Sequence, residues 1–211
     1  MKSILCFGDS NTYGIDILSS GRLPREQRWT GILQSALGED YYIIEEGLNG
    51  RTTVFDDPFG AWRNGLSALP MVLQTHIPLE LVVVMLGTND VKPFFSASAA
   101  AIARGARSLC KAIQRYDYDM MNAPKILLVS PIQVGKDVET GPLAHSFDIS
   151  SYKKSLELAR YYEMTAQEMD CNFFDAAAVA SPSPLDKIHL DEAGHEALAK
   201  ALAKEIIRMR I

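Results

Sequence analysis

A chain of 211 residues with a formal net charge of −5 and no basic block lacks the electrostatic footprint of a nucleic-acid surface. Its composition, 47% hydrophobic and 22% charged, is that of a globular domain, and no run approaches the roughly 18 consecutive apolar residues of a membrane span. Cys6, Cys110 and Cys171 are odd in number and have no C-x-x-C spacing, so neither a disulfide framework nor a zinc site is expected, and free thiols suit the cytoplasm. The length suits a single domain over 1–211 that buries its core without staples.

In chain order, the first predicted element is a strand at 3–7, SILCF, which breaks abruptly into Gly8-Asp9-Ser10-Asn11-Thr12 and a helix start. A helix at 28–37 puts Trp29, Ile32, Leu33 and Leu37 on one face, and a strand follows at 41–45. After a weaker helix at about 64–75 comes LVVVML at 81–86, apolar without alternation, as in a parallel strand covered on both faces. The helix at 96–115 carries Ile102, Leu109 and Ile113 on its inner face, with Ser96 or Ser98 as N-cap. Strand 125–130 precedes a helix at 150–169, whose inner face is read as Leu156, Ala159, Tyr162 and Ala166. A short strand at 171–174 and a helix at 192–210, capped by Asp191, close the chain. Alternation of this kind predicts an α/β three-layer sandwich, a five-stranded parallel sheet in the flavodoxin-like order 2-1-3-4-5 with helices on both faces. Two connections, 51–65 and 131–149, are longer than the sheet needs.

Ligand sites in open α/β sheets form beyond the carboxyl ends of the strands. Four segments reach that edge: Gly8-Asp9-Ser10 after the first strand, Gly47 to Arg51 after the second, Gly87 to Asp90 after the third, and Asp186 to His189 after the fifth. Ser10 alone reads as a helix cap; as a nucleophile it needs a base. Of the four histidines, His76 precedes the third strand on the wrong edge, His145 lies in the long loop and His195 lies inside the last helix. His189 has a carboxylate, Asp186, three residues earlier in a non-helical turn that can hold one ring nitrogen and leave the other for Ser10. Asn89, Gly50 and the Ser10 N–H are candidate donors to a developing oxyanion, and Asn89 and Gly50 also read as turn residues. Asp9 and Asp90 read as turn-bonding residues. Asn11, Tyr13, Ile15, Trp62 and Phe94 are candidate pocket residues.

GDSN at 8–11, GLNGRTT at 47–53, GTND at 87–90 and DKIH at 186–189 resemble the four blocks of the SGNH (GDSL-type) hydrolases, in order and across nearly the whole chain. RWTGIL, IIEEGLNGRTT, LVVVMLGTND and APKILLVSP are similar in particular to the bacterial arylesterase/acyltransferase subgroup. The resemblance implies Ser10 as nucleophile, His189 as base oriented by Asp186, and Ser10, Gly50 and Asn89 as the oxyanion hole. It implies a cofactor-free, metal-free homo-oligomer that hydrolyses short-chain esters and passes acyl groups to water, alcohols or peroxide, with no membrane or nucleic-acid partner. Two departures stand out: Glu45-Glu46 where many members carry Asn, and Asn11 where Leu or Ile is frequent. The rival readings are a carbohydrate O-deacetylase and, more remote, a non-catalytic binder that would seat a phosphate at the helix after Ser10.

Overall fold

The computed structural model describes Met1–Ile211. Five strands, β1 (Lys2–Gly8), β2 (Tyr41–Gly47), β3 (Leu81–Met85), β4 (Lys125–Ser130) and β5 (Asn172–Asp175), form one sheet in the order β2-β1-β3-β4-β5. Every pairing is parallel. The predicted order therefore holds, and the carboxyl ends of β1 and β3 are neighbours at the switch point.

Strand periodicity sorts the core into two layers. Leu5, Phe7, Val82, Val84, Ile126 and Leu128 face α3 (Gly65–His76), α4 (Ala99–Arg115) and α5 (Ile149–Glu168). Ile4, Cys6, Leu81, Val83, Leu127 and Val129 face α2 (Trp29–Leu37) and α6 (Glu192–Met209). No helix is long and apolar enough to cross a membrane.

Four local readings are refined. The helix after β1, α1, is one turn, Ser10–Tyr13, ended by Gly14; its cap is Asp9, whose carboxylate accepts from the Asn11 N–H, so Ser10 is the first helical residue and not the cap. Ser98 caps α4, whereas Ser96 closes the preceding 3-10 turn with a left-handed backbone. β3 stops at Met85, and the next carbonyl, that of Leu86, accepts from the Tyr162 hydroxyl at 2.7 Å. The inner face of α5 runs through Ser155, Leu158, Tyr162 and Ala166. Leu156 is exposed instead, because Ser155 turns inward to accept from the Val134 N–H at 3.0 Å, a polar contact that apolar periodicity does not register.

α6 packs on α2 around Trp29, Leu33, Leu198 and Leu202. His195, 1% exposed, sits in this seam, and its Nδ1 accepts from the Trp29 N–H at 3.2 Å. That bond satisfies the first N–H of α2, which its own N-cap residue, Arg28, leaves uncapped. Burial drives the His195 pKa down to about 4; Asp191 opposes this, and the charges of His189 and Arg28 add to it. Between the ordinary value of 6.5 and about 4, the unfolded chain binds a proton that the folded chain refuses. Stability therefore falls as pH drops through that window, by about 2–3 kcal/mol at pH 4.5 from this group. His195→Asn keeps an acceptor but does not titrate. Urea unfolding at pH 7 and pH 4.5 is expected to show a smaller acid loss for the variant than for the parent, by about 2 kcal/mol.

Candidate active site

Ser10 stands at the carboxyl end of β1, presented by the turn that Asp9 caps. Its Oγ lies 2.9 Å from Nε2 of His189, and Nδ1 of His189 lies 2.5 Å from Oδ2 of Asp186. The other Asp186 oxygen accepts from the backbone N–H groups of Ile188 and His189, at 3.0 and 2.9 Å. Burial works against ionising Asp186, but the His189 hydrogen bond and charge, with these two N–H donors, hold its carboxyl below the usual value. A carboxylate against Nδ1 fixes the tautomer with hydrogen on Nδ1. Nε2 is then left as the acceptor for the Ser10 hydroxyl.

The turn holding Asp186 and His189 is itself tied down. Lys187 takes a left-handed backbone, its N–H donates to the Ser183 carbonyl, and the Ser183 N–H returns to the His189 carbonyl at 2.7 Å. Asn11 then joins this turn to α1: its Oδ1 accepts from the Leu190 N–H at 2.8 Å and its Nδ2 donates to the Ile188 carbonyl at 3.5 Å. The amide spans both residues flanking His189. This role was not expected of it; Asn11 is buried between two backbones and does not line a pocket.

Opposite this line stand two glycine-bearing turns. Gly50 has φ +81, and a Cβ there would also come within 2.6 Å of the Arg63 guanidinium. At Gly47 a Cβ would lie 2.1 Å from the Tyr13 backbone nitrogen, so β2 and α1 touch main chain to main chain. The N–H groups of Ser10 and Gly50 donate to no carbonyl of the surrounding turns and caps. Asn89 gives one amide hydrogen to the Arg51 carbonyl at 3.1 Å, which sets the amide's orientation and leaves its second hydrogen free.

Beneath these turns, buried polar groups lock the blocks together. Arg51 donates to the carbonyls of Gly8 and Glu46 and lies over the Phe7 ring; burial lowers its pKa to about 10, against the pull of Glu46 and Asp9. Asp90 accepts from the Thr53 N–H at 2.9 Å and from its hydroxyl, clamping the third block to the second. Burial pushes the Asp90 pKa up to about 6, with the Thr53 bonds opposing. At the Glu45-Glu46 departure, Glu45 pairs with Arg28 at 3.3 Å and Glu46 with His76 at 2.8 Å, and neither lines the cleft.

The cleft above Ser10 holds about 170 Å³. Ile15, Leu143, Phe147 and Ile188 supply its apolar wall. Ile15 is thus the one expected pocket residue that reaches it. Trp62 is 88% exposed and lines a separate, larger depression of about 520 Å³ on the outer side of loop 51–65. Phe94 is exposed and stacks on Phe59 and Phe95 outside the cleft. Tyr13 is turned away beneath the Arg22 guanidinium, 4.6 Å from its ring. Apolarity and nearness in sequence did not separate these from the true lining, because burial against a neighbouring loop decides it. Leu143, Phe147, Arg63 and Lys92 were missed: three come from the two long loops, and Lys92 lies just three residues beyond Asn89.

A family model described as GDSL-like Lipase/Acylhydrolase matches residues 6–197. An acetylxylan esterase from Xylanibacter ruminicola is 24% identical over 230 residues; the match covers 96% of this chain but 42% of that protein, so the chain spans about two fifths of that relative's length. Among solved structures, the aryl esterase of M. smegmatis is similar with a TM-score of 0.92 at 40% identity, covering 99% of each chain. A carbohydrate acetylesterase from Sinorhizobium meliloti is similar with a TM-score of 0.93 at 39% identity, covering 99% of this chain and 100% of the other.

If Asn11 serves to hold His189 against Ser10, Asn11→Ala is expected to lower kcat on a small ester by roughly 10–100-fold while KM changes little, the signature of lost alignment. A matched fall in folded protein, with kcat per folded molecule retained, would assign Asn11 to stability alone; steady-state kinetics normalised by active-site titration distinguishes the two.

Proposed function

The chain belongs to the GDSL-like lipase/acylhydrolase family, and from that premise we propose that it is a serine esterase acting on short-chain carboxylic esters, aryl acetates among them. The observation that carries this reading is the unbroken line from Ser10 Oγ through His189 to Asp186, at 2.9 and 2.5 Å. Ser10 attacks the ester carbonyl carbon as His189 Nε2 takes its proton, and the carbonyl π pair moves onto oxygen. The Ser10 and Gly50 N–H groups and the Asn89 amide receive that charge; removing one such donor typically costs roughly 2.7–4 kcal/mol in the barrier. Asp186 stabilises the imidazolium without taking its proton. Collapse breaks the bond to the leaving oxygen, which His189 protonates. Water, or another alcohol, gives its proton to His189 and attacks the acyl-enzyme, freeing Ser10.

The small cleft and its apolar wall support a short acyl chain. The similarity to both an aryl esterase and a carbohydrate acetylesterase keeps a sugar O-acetyl ester as the second reading. Homo-oligomerisation is supported by the exposed Trp62 and Met71, which line one depression, with Phe59 also exposed three residues before Trp62.

A fluorophosphonate is expected to label the parent at Ser10, and Ser10→Ala is expected to lose the label and roughly 10³-fold or more of the activity. An active preparation that resists labelling would overturn the mechanism. In the same assay, product analysis of phenyl acetate and acetylated xylo-oligosaccharide, with and without added alcohol, ranks the two substrate classes and reads acyl transfer as new ester. Trp62→Glu is expected to lower the mass seen by light scattering; an unchanged mass removes this face from the interface.

A further inference from the structure

Lys92 is a cation without a partner beside the candidate nucleophile. It follows Asn89 in the loop after β3, and its N–H donates to the Asn89 carbonyl at 3.2 Å. Its side chain is 8% exposed and it lines the cleft with Ser10, His189 and Phe147. The ammonium lies 5.5 Å from the centroid of the Phe147 ring and 6.0 Å from that of Phe94. The ammonium takes part in none of the ion pairs of the chain. The Lys92 tip opens onto the cleft, and an ammonium that loses that water when substrate binds needs a partner, because ring faces replace only part of the lost hydration.

The surrounding charges do not neutralise it. Asp57 is committed to Arg63 at 2.6 Å. Asp9 and Asp90 are buried below Lys92, bonded to the Asn11 N–H and to Thr53, and favour its charged form only from a distance. Asp186 is held by His189. Arg63 is paired with Asp57, which leaves the Lys92 ammonium as the one cationic group lining the cleft without an ion-pair partner. Burial lowers the Lys92 pKa, as expected of a lysine stem packed away from water, while Asp57 works to keep it charged. The chain as a whole is negative, at −5. An anion is therefore not drawn in from a distance, and any preference for it arises inside the cleft.

Resting on the esterase reading, we propose that the cleft is built for esters that carry a carboxylate, and that Lys92 is the specificity residue that binds it. A single unpaired ammonium matches a carboxylate monoanion better than a phosphate dianion. A cleft of about 170 Å³ suits a small acid-bearing ester. A neutral substrate seals the ammonium away from water with nothing in exchange, whereas a carboxylate supplies the missing counter-ion, so the discrimination is made in binding.

The test uses matched pairs: 4-nitrophenyl hydrogen succinate against 4-nitrophenyl butyrate for the acyl side, and 4-acetoxybenzoate against its methyl ester for the alcohol side. The ratio of kcat/KM, charged over neutral, is measured for the parent, Lys92→Met and Lys92→Arg. In at least one pair the ratio should fall tenfold or more in Lys92→Met, mainly through KM, and be largely restored in Lys92→Arg. Ratios within twofold across all three proteins in both pairs overturn the proposal. A measurement on the parent alone guards against a variant that fails to fold: glutarate should inhibit phenyl acetate turnover competitively and more strongly than uncharged glutaramide, and equal inhibition counts against Lys92. Turnover of neutral esters with no charge preference defeats this inference and leaves the esterase reading standing. Absence of both turnover and fluorophosphonate labelling in the parent defeats the esterase reading itself.

Discussion

The candidate site depends on a single side-chain amide bridging two distant parts of the chain. Ser10 and His189 are 179 residues apart, and a hydrogen bond between two side chains cannot by itself keep α1 and the 186–189 turn in register. Asn11 does so by bonding the backbone on either side of His189. Because the amide offers one acceptor and two donors in a rigid plane, it fixes both distance and tilt. Everything upstream serves to place that amide: the parallel pairing of β1, the Asp9 cap, and the one-turn helix stopped at Gly14.

The opposite wall is held by a different kind of contact. There the blocks after β1, β2 and β3 are joined by buried charged groups, Arg51 and Asp90, each bonded to backbone or hydroxyl partners instead of to an opposite charge. Such a network is rigid because every member loses a hydrogen bond if one moves, and an unpaired buried group is expensive. The sheet supplies direction, and this polar layer supplies position. A proposed oxyanion hole gains from that arrangement, since its donors need no reorganisation as charge develops.

Strand order, helix faces and the four segments at the carboxyl edge were legible because they are written in local patterns. Apolar runs, turn glycines and the D-x-x-H spacing each constrain a few neighbouring residues, and the parallel topology then brings them together. What failed was whatever depends on contacts across loops. Asn11 read as a pocket residue because its bonding partners lie at the far end of the sequence. Trp62 and Phe94 read as lining because they are large and apolar, yet Trp62 faces out from loop 51–65 and Phe94 packs on Phe59 and Phe95 from the turn after β3. Leu143 and Phe147 sit in a connection with no periodic signal at all, and Leu156 was assigned inward because a buried serine breaks the apolar count. The bond from the first N–H of α2 to His195 was likewise invisible, since that pairing joins α2 to α6.

The main-chain contact between β2 and α1 has a wider consequence. At Gly47 there is no space even for a methyl group, and Gly50 combines a left-handed backbone with an overlying guanidinium. The floor of the cleft is therefore closed to variation, since no side chain can be introduced there without parting the strands from the helix. Much of the wall is made by side chains from 51–65 and 131–149 together with Lys92, beside Ile15 and Ile188, and of these Phe147 and Ile188 are also part of the core packed on the sheet. Change in the shape of the cleft is therefore left to the side chains that the two long loops place on its rim, while Phe147 and Ile188 bind its wall to the core and can move only with it.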